Sequence, residues 1–179
     1  MLDEKTIKEA KILIVDDQPA NVTLIEKMLD IDGYINVLST TDPTQVESIY
    51  MEQNSDLILL DLNMPVMDGY QACQNLRELF DHNQTKIIML TGLNDDSSVD
   101  KAFDMGANDF VTKPINWSLL VKRVRYALRE RYMYFQLAEN EARLKQAQRI
   151  AGISYWEYDP ETDNIEISGL FSDEVLAGQ

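Results

Sequence analysis

The sequence holds one cysteine, Cys73, so no intramolecular disulfide can form and no cysteine-built zinc site is available. Its one histidine, His82, lies in the polar stretch Asp81-His82-Asn83-Gln84 and reads as solvated. No apolar run approaches the ~18 residues that a membrane span needs. The N-terminal stretch MLDEKTIKEAK lacks the apolar segment of a signal peptide, so the cytoplasm is the expected address. Bases are scarce: 16 Lys and Arg stand against 31 Asp and Glu, for a net charge of −15. That balance argues against nucleic acid or an anionic membrane as the partner of the whole chain. What remains is an ordinary globular composition, 45% hydrophobic and 26% charged over 179 residues, enough for one domain and something shorter.

The charge is unevenly spread, and the unevenness marks the organisation. Residues 1–115 carry 21 acids and 8 bases, residues 116–151 carry 3 acids and 8 bases, and residues 152–179 carry 7 acids and no base. An acidic body, a basic arm and an acidic tail piece follow.

The body alternates two periods. Ile12-Leu13-Ile14-Val15 is closed by Asp16-Asp17, Leu57-Ile58-Leu59-Leu60 by Asp61, Ile87-Ile88-Met89-Leu90 by Thr91-Gly92, and Phe110-Val111 by Thr112-Lys113-Pro114. Short apolar runs without alternation are what strands buried on both faces look like. A weaker strand is expected over Ile35-Asn36-Val37-Leu38. Between the strands lie apolar stripes of helical period: Leu24, Ile25, Met28 and Leu29; Val46, Ile49 and Tyr50 after Pro43; Tyr70, Cys73, Leu76 and Phe80. Val99, Ala102 and Phe103 follow the capping stretch Asn94-Asp95-Asp96, and Trp117, Leu120, Val121 and Val124 open a fifth helix. Strands alternating with helices predict an α/β fold, a doubly wound five-stranded parallel sheet covered on both faces.

In such sheets ligands bind at the carboxyl ends of the strands, near the point where strand order reverses. The strand endings bring three carboxylates (Asp16, Asp17, Asp61), the hydroxyl of Thr91 and the ammonium of Lys113 to one rim. Singly, each has an ordinary explanation: Asp17 as a helix cap near Pro19, Asp61 as the opening of a turn, Thr91 as loop filler, Lys113 as a solvated lysine. As a set they do not, because carboxylates held close repel one another unless a cation sits among them. Oxygen ligands with room for water suit Mg²⁺. A carboxylate beside a divalent ion can attack phosphorus and hold an acyl phosphate. Lys113 would then pair with a phosphoryl oxygen, Thr91 would donate to another, and Gly92 would leave room for the donor.

Four motifs, KILIVDD, LLDLNMPVMDG, IIMLTG and GANDFVTKP, occur in that order. In them the chain resembles the receiver domain of two-component response regulators, over residues 10–128, with the flavodoxin-like receiver fold that family has. The resemblance implies that Asp61 is the phospho-accepting aspartate and Asp17 a direct metal ligand, with Asp16 acting through water. It implies that the backbone carbonyl of Asn63 binds the metal, that Thr91 and Lys113 contact the phosphoryl group, and that Phe110 is the switch aromatic beside Thr91. It also implies a cis Lys113–Pro114 bond, and none of the principal positions departs from the family. Met64, Met67 and Met89 read as packing or loop residues.

Residues 116–149 contain neither Pro nor Gly and are rich in Leu, Ala, Glu, Gln, Arg and Lys. They predict a last receiver helix extended as a coiled-coil-like linker over 116–150, far beyond the ~12 residues of a mean helix. Val121, Leu128, Phe135 and Ala142 recur every seven residues, with Val124 and Ala138 between them and Arg131 and Lys145 interrupting. That seam predicts a homodimer through the C-terminal helix. After Gly152, Ile153–Tyr158 and Ile165–Ser168 read as strands about a turn, a β-hairpin. With the preceding AQRIAGI this stretch resembles the opening of a PAS domain, and residues 151–179 are too few for the ~100 that such a core takes, so the chain is expected to stop inside that domain.

The function expected is that of a phosphoacceptor signalling domain, not an enzyme: Asp61 takes a phosphoryl group from a sensor histidine kinase or phosphotransfer protein, with Mg²⁺, and the last helix informs a C-terminal effector. Fold-level analogy points that effector toward a cyclic-di-GMP cyclase or phosphodiesterase, or a histidine kinase. A Mg²⁺-dependent aspartyl phosphohydrolase of the haloacid-dehalogenase type is the alternative, but it needs a general acid two residues after the nucleophile, where this chain has Asn63. A phosphorylation-independent dimerisation module is the third reading, and the intact Asp17, Asp61, Thr91 and Lys113 set speaks against it.

Overall fold

The computed structural model describes residues 4–92, 96–152, 155–160, 162 and 164–168. Two compact units divide the chain, Met1–Met133 and Tyr134–Gln179. In the first, a short helix α1 (Glu4–Lys8) precedes β1 (Lys11–Val15), α2 (Pro19–Ile31), β2 (Asn36–Thr40), α3 (Val46–Gln53), β3 (Leu57–Asp61), α4 (Gly69–Leu79), β4 (Lys86–Thr91), α5 (Asp96–Asp104) and β5 (Asp109–Thr112). Helix α6 (Trp117–Ala151) follows, then β6 (Tyr155–Asp159) and β7 (Asn164–Ser168), which pair antiparallel as the expected hairpin.

The five strands β1–β5 form one parallel sheet in the order β2-β1-β3-β4-β5. The chain leaves β1 toward one edge and then crosses to the other, so strand order reverses between β1 and β3. Alternate side chains of the same strands feed two cores. Ile12, Ile14, Leu57 and Leu59 pack with residues of α1, α2 and α6, whereas Leu13, Val15, Ile58 and Leu60 pack with residues of α3, α4 and α5. Both faces being apolar is why these strands read as unbroken runs.

Local chemistry sets the helix ends. Pro19 stands at the start of α2, where its missing N–H costs nothing, and Asp68 caps α4 by accepting from the Gln71 N–H at 2.8 Å. Asn54 ends α3 in the left-handed region at φ 51°. A Cβ on Gly69 would lie 2.4 Å from the Asp61 carbonyl oxygen, so only glycine lets α4 begin this close to the end of β3.

Several expectations need correction. β2 begins one residue late and runs to Thr40, which leaves Ile35 70% exposed. Leu24 and Phe103 are exposed, and Val22 and Ile25 carry the buried stripe of α2 with Leu29. Helix α1 was not expected; one buried apolar residue, Ile7, is too little to make a period. Asn94, Asp95 and Ile153, and the side chain of Val99, lie outside the described residues. The largest correction concerns the arm: Val124 and Leu128, two members of the anticipated seam, are buried in the first unit's own core beside Leu120.

At the amino edge of the sheet, charges pair off. Lys86, which opens β4, has a 2% exposed side chain and meets Glu130 of α6 at 3.1 Å. Arg131 meets Asp56 at 2.7 Å and donates to the Gln84 carbonyl at 2.6 Å. Lys8 and Arg125 both pair with Asp32, between α2 and β2.

Candidate functional site

The opposite, carboxyl rim holds the site residues. Asp61 is the last residue of β3 and 1% exposed; Asp16 follows β1 and is wholly buried; Thr91 ends β4 and is 5% exposed. Carboxylate oxygens of Asp16, Asp17 and Asp61 lie within 4.8 Å of one another. Lys113, just after β5, donates from Nζ to Asp61 Oδ1 at 2.7 Å and to Asp16 Oδ2 at 3.1 Å. Its peptide bond to Pro114 is cis, as the family resemblance implies, and its N–H donates to the Thr91 carbonyl at 2.6 Å, which ties the ammonium's strand to the hydroxyl's strand.

The two neighbouring aspartates differ sharply. Asp16 is saturated: its Oδ1 accepts from the Gln18 N–H at 2.9 Å and from Asn21 Nδ2 at 3.0 Å, and its Oδ2 from Asn21 and Lys113. Asp17 does not cap α2, whose N-cap is Gln18. Its Oδ1 is buried with no hydrogen-bond partner. Such an oxygen costs about 1–3 kcal/mol if nothing binds it. Three carboxylates against one ammonium leave a formal charge of −2, which a single divalent cation would cancel. The donors are all oxygen, so the residues present fit Mg²⁺.

Burial raises the Asp61 carboxyl above the ordinary carboxylate range, although the hydrogen bond and charge of Lys113 pull it down; the charge of Asp16 adds to the rise. For Lys113 burial works the other way, but the hydrogen bond and charge of Asp61, then those of Asp16, outweigh it and the ammonium is held more firmly.

The remaining residues stand around this centre. Asn63 is exposed on the loop after β3, with its Nδ2 3.9 Å from where a Cβ on Gly92 would be. Phe110 is half-buried on β5, edge-on to Phe103 at 6.0 Å and 5.9 Å from the Arg123 guanidinium. His82 is exposed. Asn21 is the site residue that the sequence reading missed; asking what satisfies a buried Asp16 one helical turn away would have found it.

Known proteins match the same region. The family model of the response regulator receiver domain matches residues 12–125. The probable transcriptional regulator ycf27 of Porphyridium aerugineum is 38% identical over 123 residues, 69% of this chain and 50% of that protein. The response regulator PleD of Caulobacter vibrioides is 34% identical over 143 residues, 80% of this chain and 31% of that protein. Among solved structures, the signal receiver domain of a signal transduction histidine kinase from Syntrophus aciditrophicus is 32% identical with a TM-score of 0.61, covering 67% of this chain and 90% of that one. The chain spans about half the length of the first curated relatives it matches, at 50% and 56%.

Proposed function

This chain belongs to the response regulator receiver domain family, and on that premise we propose that it is a phosphorylation-controlled input module whose acceptor is Asp61. The observation that carries the reading is Lys113 Nζ lying between Asp61 and Asp16, at 2.7 and 3.1 Å, beside the partnerless Oδ1 of Asp17. An oxygen of Asp61 forms a bond to phosphorus while the bond from phosphorus to the donor breaks, and the donor leaves with the electron pair. For a histidine kinase or a phosphotransfer protein the leaving group is an imidazole nitrogen. Asp16, Asp17 and Asp61, with the Asn63 carbonyl, would hold Mg²⁺, which when bound neutralises charge on the phosphoryl oxygens. Lys113 holds Asp61 in place beforehand and then pairs with a phosphoryl oxygen; Thr91 donates to another. Phe110 follows Thr91 as the switch aromatic.

The signal then leaves through α6, in a homodimer formed by that helix, to an effector C-terminal of it. β6 and β7 with the preceding AQRIAGI support a PAS-like beginning over 151–179. Receiver, helix and PAS-like segment in that order favour a cyclic-di-GMP cyclase or phosphodiesterase, or a histidine kinase, as the effector. No helix among the described residues is long and apolar enough to cross a membrane, and a cytoplasmic site of action fits this scheme.

Acetyl phosphate with Mg²⁺ tests the acceptor. Intact mass should rise by one phosphoryl group per chain, and the rise should vanish in Asp61→Asn and without Mg²⁺. Label on another residue of the wild type would sink the assignment.

A further inference from the structure

Helix α6 carries two apolar stripes, and the first unit's core uses one of them. Leu120, Val124 and Leu128 are buried on that core. At 100° per residue, Phe135 and Ala142 continue the phase of Leu128 to within about 40°. Phe135 is also engaged locally, edge-on to Tyr134 at 5.6 Å. A partner helix laid along this phase would have to occupy, at positions 124 and 128, space that the chain's own core fills.

The second stripe faces away. Tyr126, Met133, Leu137 and Leu144 are 68%, 64%, 61% and 60% exposed, more than any of the first stripe's large side chains. With Asn140 and Ala147 they lie roughly 100–180° from Leu128. Their spacing alternates four and three residues from Met133 to Ala147, the heptad spacing that keeps one seam against a second helix. We propose that this stripe, centred on Leu137, Asn140 and Leu144, docks a second copy of the chain in parallel and in register. The proposal rests on the dimer reading above and replaces its seam.

Asn140 selects the occupant. A primary amide offers both a donor and an acceptor, and along this otherwise apolar stripe another amide opposite it satisfies both at once. In a parallel, in-register pair Asn140 meets Asn140 of the second copy. In an antiparallel or shifted pair it would meet leucine or alanine, with the amide desolvated and unpaired. A polar residue at one core position is a known way to fix register at a cost in affinity. The flanking positions agree: across a parallel seam Gln136 would face Glu141 and Arg143 would face Gln148 of the second copy, with no like charges opposed. From Tyr126 to Ala147 the stripe runs about 32 Å on a helix about 10–12 Å wide, or on the order of 350 Å² per chain. A standard stable interface takes about 800 Å² per partner, so this pair is weak and concentration-dependent by itself.

The test uses residues 1–179 in a Cys73→Ser background, with Ala147→Cys and Ala142→Cys as separate variants that keep Asn140, at tens to hundreds of micromolar. Light scattering reads molar mass; disulfide formation reads proximity. The proposal expects dimers for wild type, rapid cross-linking at 147 and little at 142. It expects Leu137→Glu with Leu144→Glu to abolish the dimer, and Phe135→Glu to keep it. Cross-linking at 142 but not at 147 overturns this seam and leaves the dimer standing. A wild type that stays monomeric throughout, with and without acetyl phosphate and Mg²⁺, overturns both. Asn140→Leu guards against an uninformative loss of folding: a side chain so exposed leaves the fold intact, and its dimer should form at a several-fold lower concentration while losing its orientation.

Discussion

The two edges of the parallel sheet treat buried charge in opposite ways. At the amino edge, Lys86 has Glu130, Arg131 has Asp56 and a carbonyl, and Lys8 and Arg125 share Asp32. At the carboxyl rim, three carboxylates lie together with the ammonium of Lys113, which bonds two of them, and one buried oxygen of Asp17 has no hydrogen-bond partner. Distance and residue type are alike at the two edges; the rim carboxylates are more deeply buried, and the balance of charge differs. A balanced set is the signature of a structural clasp, here one that fastens α6. An unbalanced one persists in a folded protein where a ligand completes it, and this is why the rim reads as the functional end.

Removing the cation at each edge gives the largest contrast. Lys113→Ala strands two carboxylates that are almost wholly buried, and breaking such a pair costs about 3–5 kcal/mol. Melting in chelator should show that loss, and saturating Mg²⁺ should restore much of it. Arg131→Ala leaves Asp56 with a 20% exposed side chain and its bond from the Lys11 N–H, so it should cost only about 1 kcal/mol, with no recovery on adding Mg²⁺. Equal losses, or equal rescue, would erase the distinction between the edges.

Neutralising one carboxylate at each edge should change the sign. In metal-free protein Asp17→Asn removes one of three crowded carboxylate charges, one with a buried oxygen that has no hydrogen-bond partner, and should stabilise by about 1 kcal/mol. Asp56→Asn weakens a paired and hydrogen-bonded carboxylate, and should destabilise by about as much. Chemical denaturation curves on the two variants check this, and a shared sign would mean that the Asp17 oxygen is satisfied after all.

The smallest effect is at Cys73, between the edges. Burial pushes its thiol up to about 11, and the residue is wholly inside the core on α4. Thiol reagents should label it at pH 8 only as fast as the domain opens, and at the full rate of a free thiol in denaturant. Immediate labelling of the native protein would show that α4 is not held to β3 as tightly as Gly69 implies.

The difference between the edges also decides what could be read in advance. The rim was legible because each of its residues stands within two positions of the end of an apolar run, so a rule about strand ends finds Asp16, Asp17, Asp61, Thr91 and Lys113 from the sequence. The amino edge was not: nothing in the sequence marks Lys86, next to the run that starts at Ile87, as buried, and its partner Glu130 lies on a helix whose phase toward the sheet no local pattern states. Asn21 stayed hidden because its work is done through Asp16. The arm misled for a related reason. A seven-residue recurrence at Leu128, Phe135 and Ala142 shows that one face is apolar, but only packing shows that the domain itself covers the first part of that face. Ile7 on α1, one apolar side chain in a polar helix, had no period to betray it.

The measurement that bears most directly on the rim is calorimetric titration of Mg²⁺ into the metal-free protein and two variants, Asp17→Asn and Asp56→Asn. An unbalanced rim predicts one ion bound per chain in the wild type, the same in Asp56→Asn, and affinity at least about tenfold weaker in Asp17→Asn, a change of about 1.4 kcal/mol. Binding that survives unchanged in Asp17→Asn, or that falls equally in both variants, would contradict the assignment of this rim as the metal-assisted phosphoacceptor site.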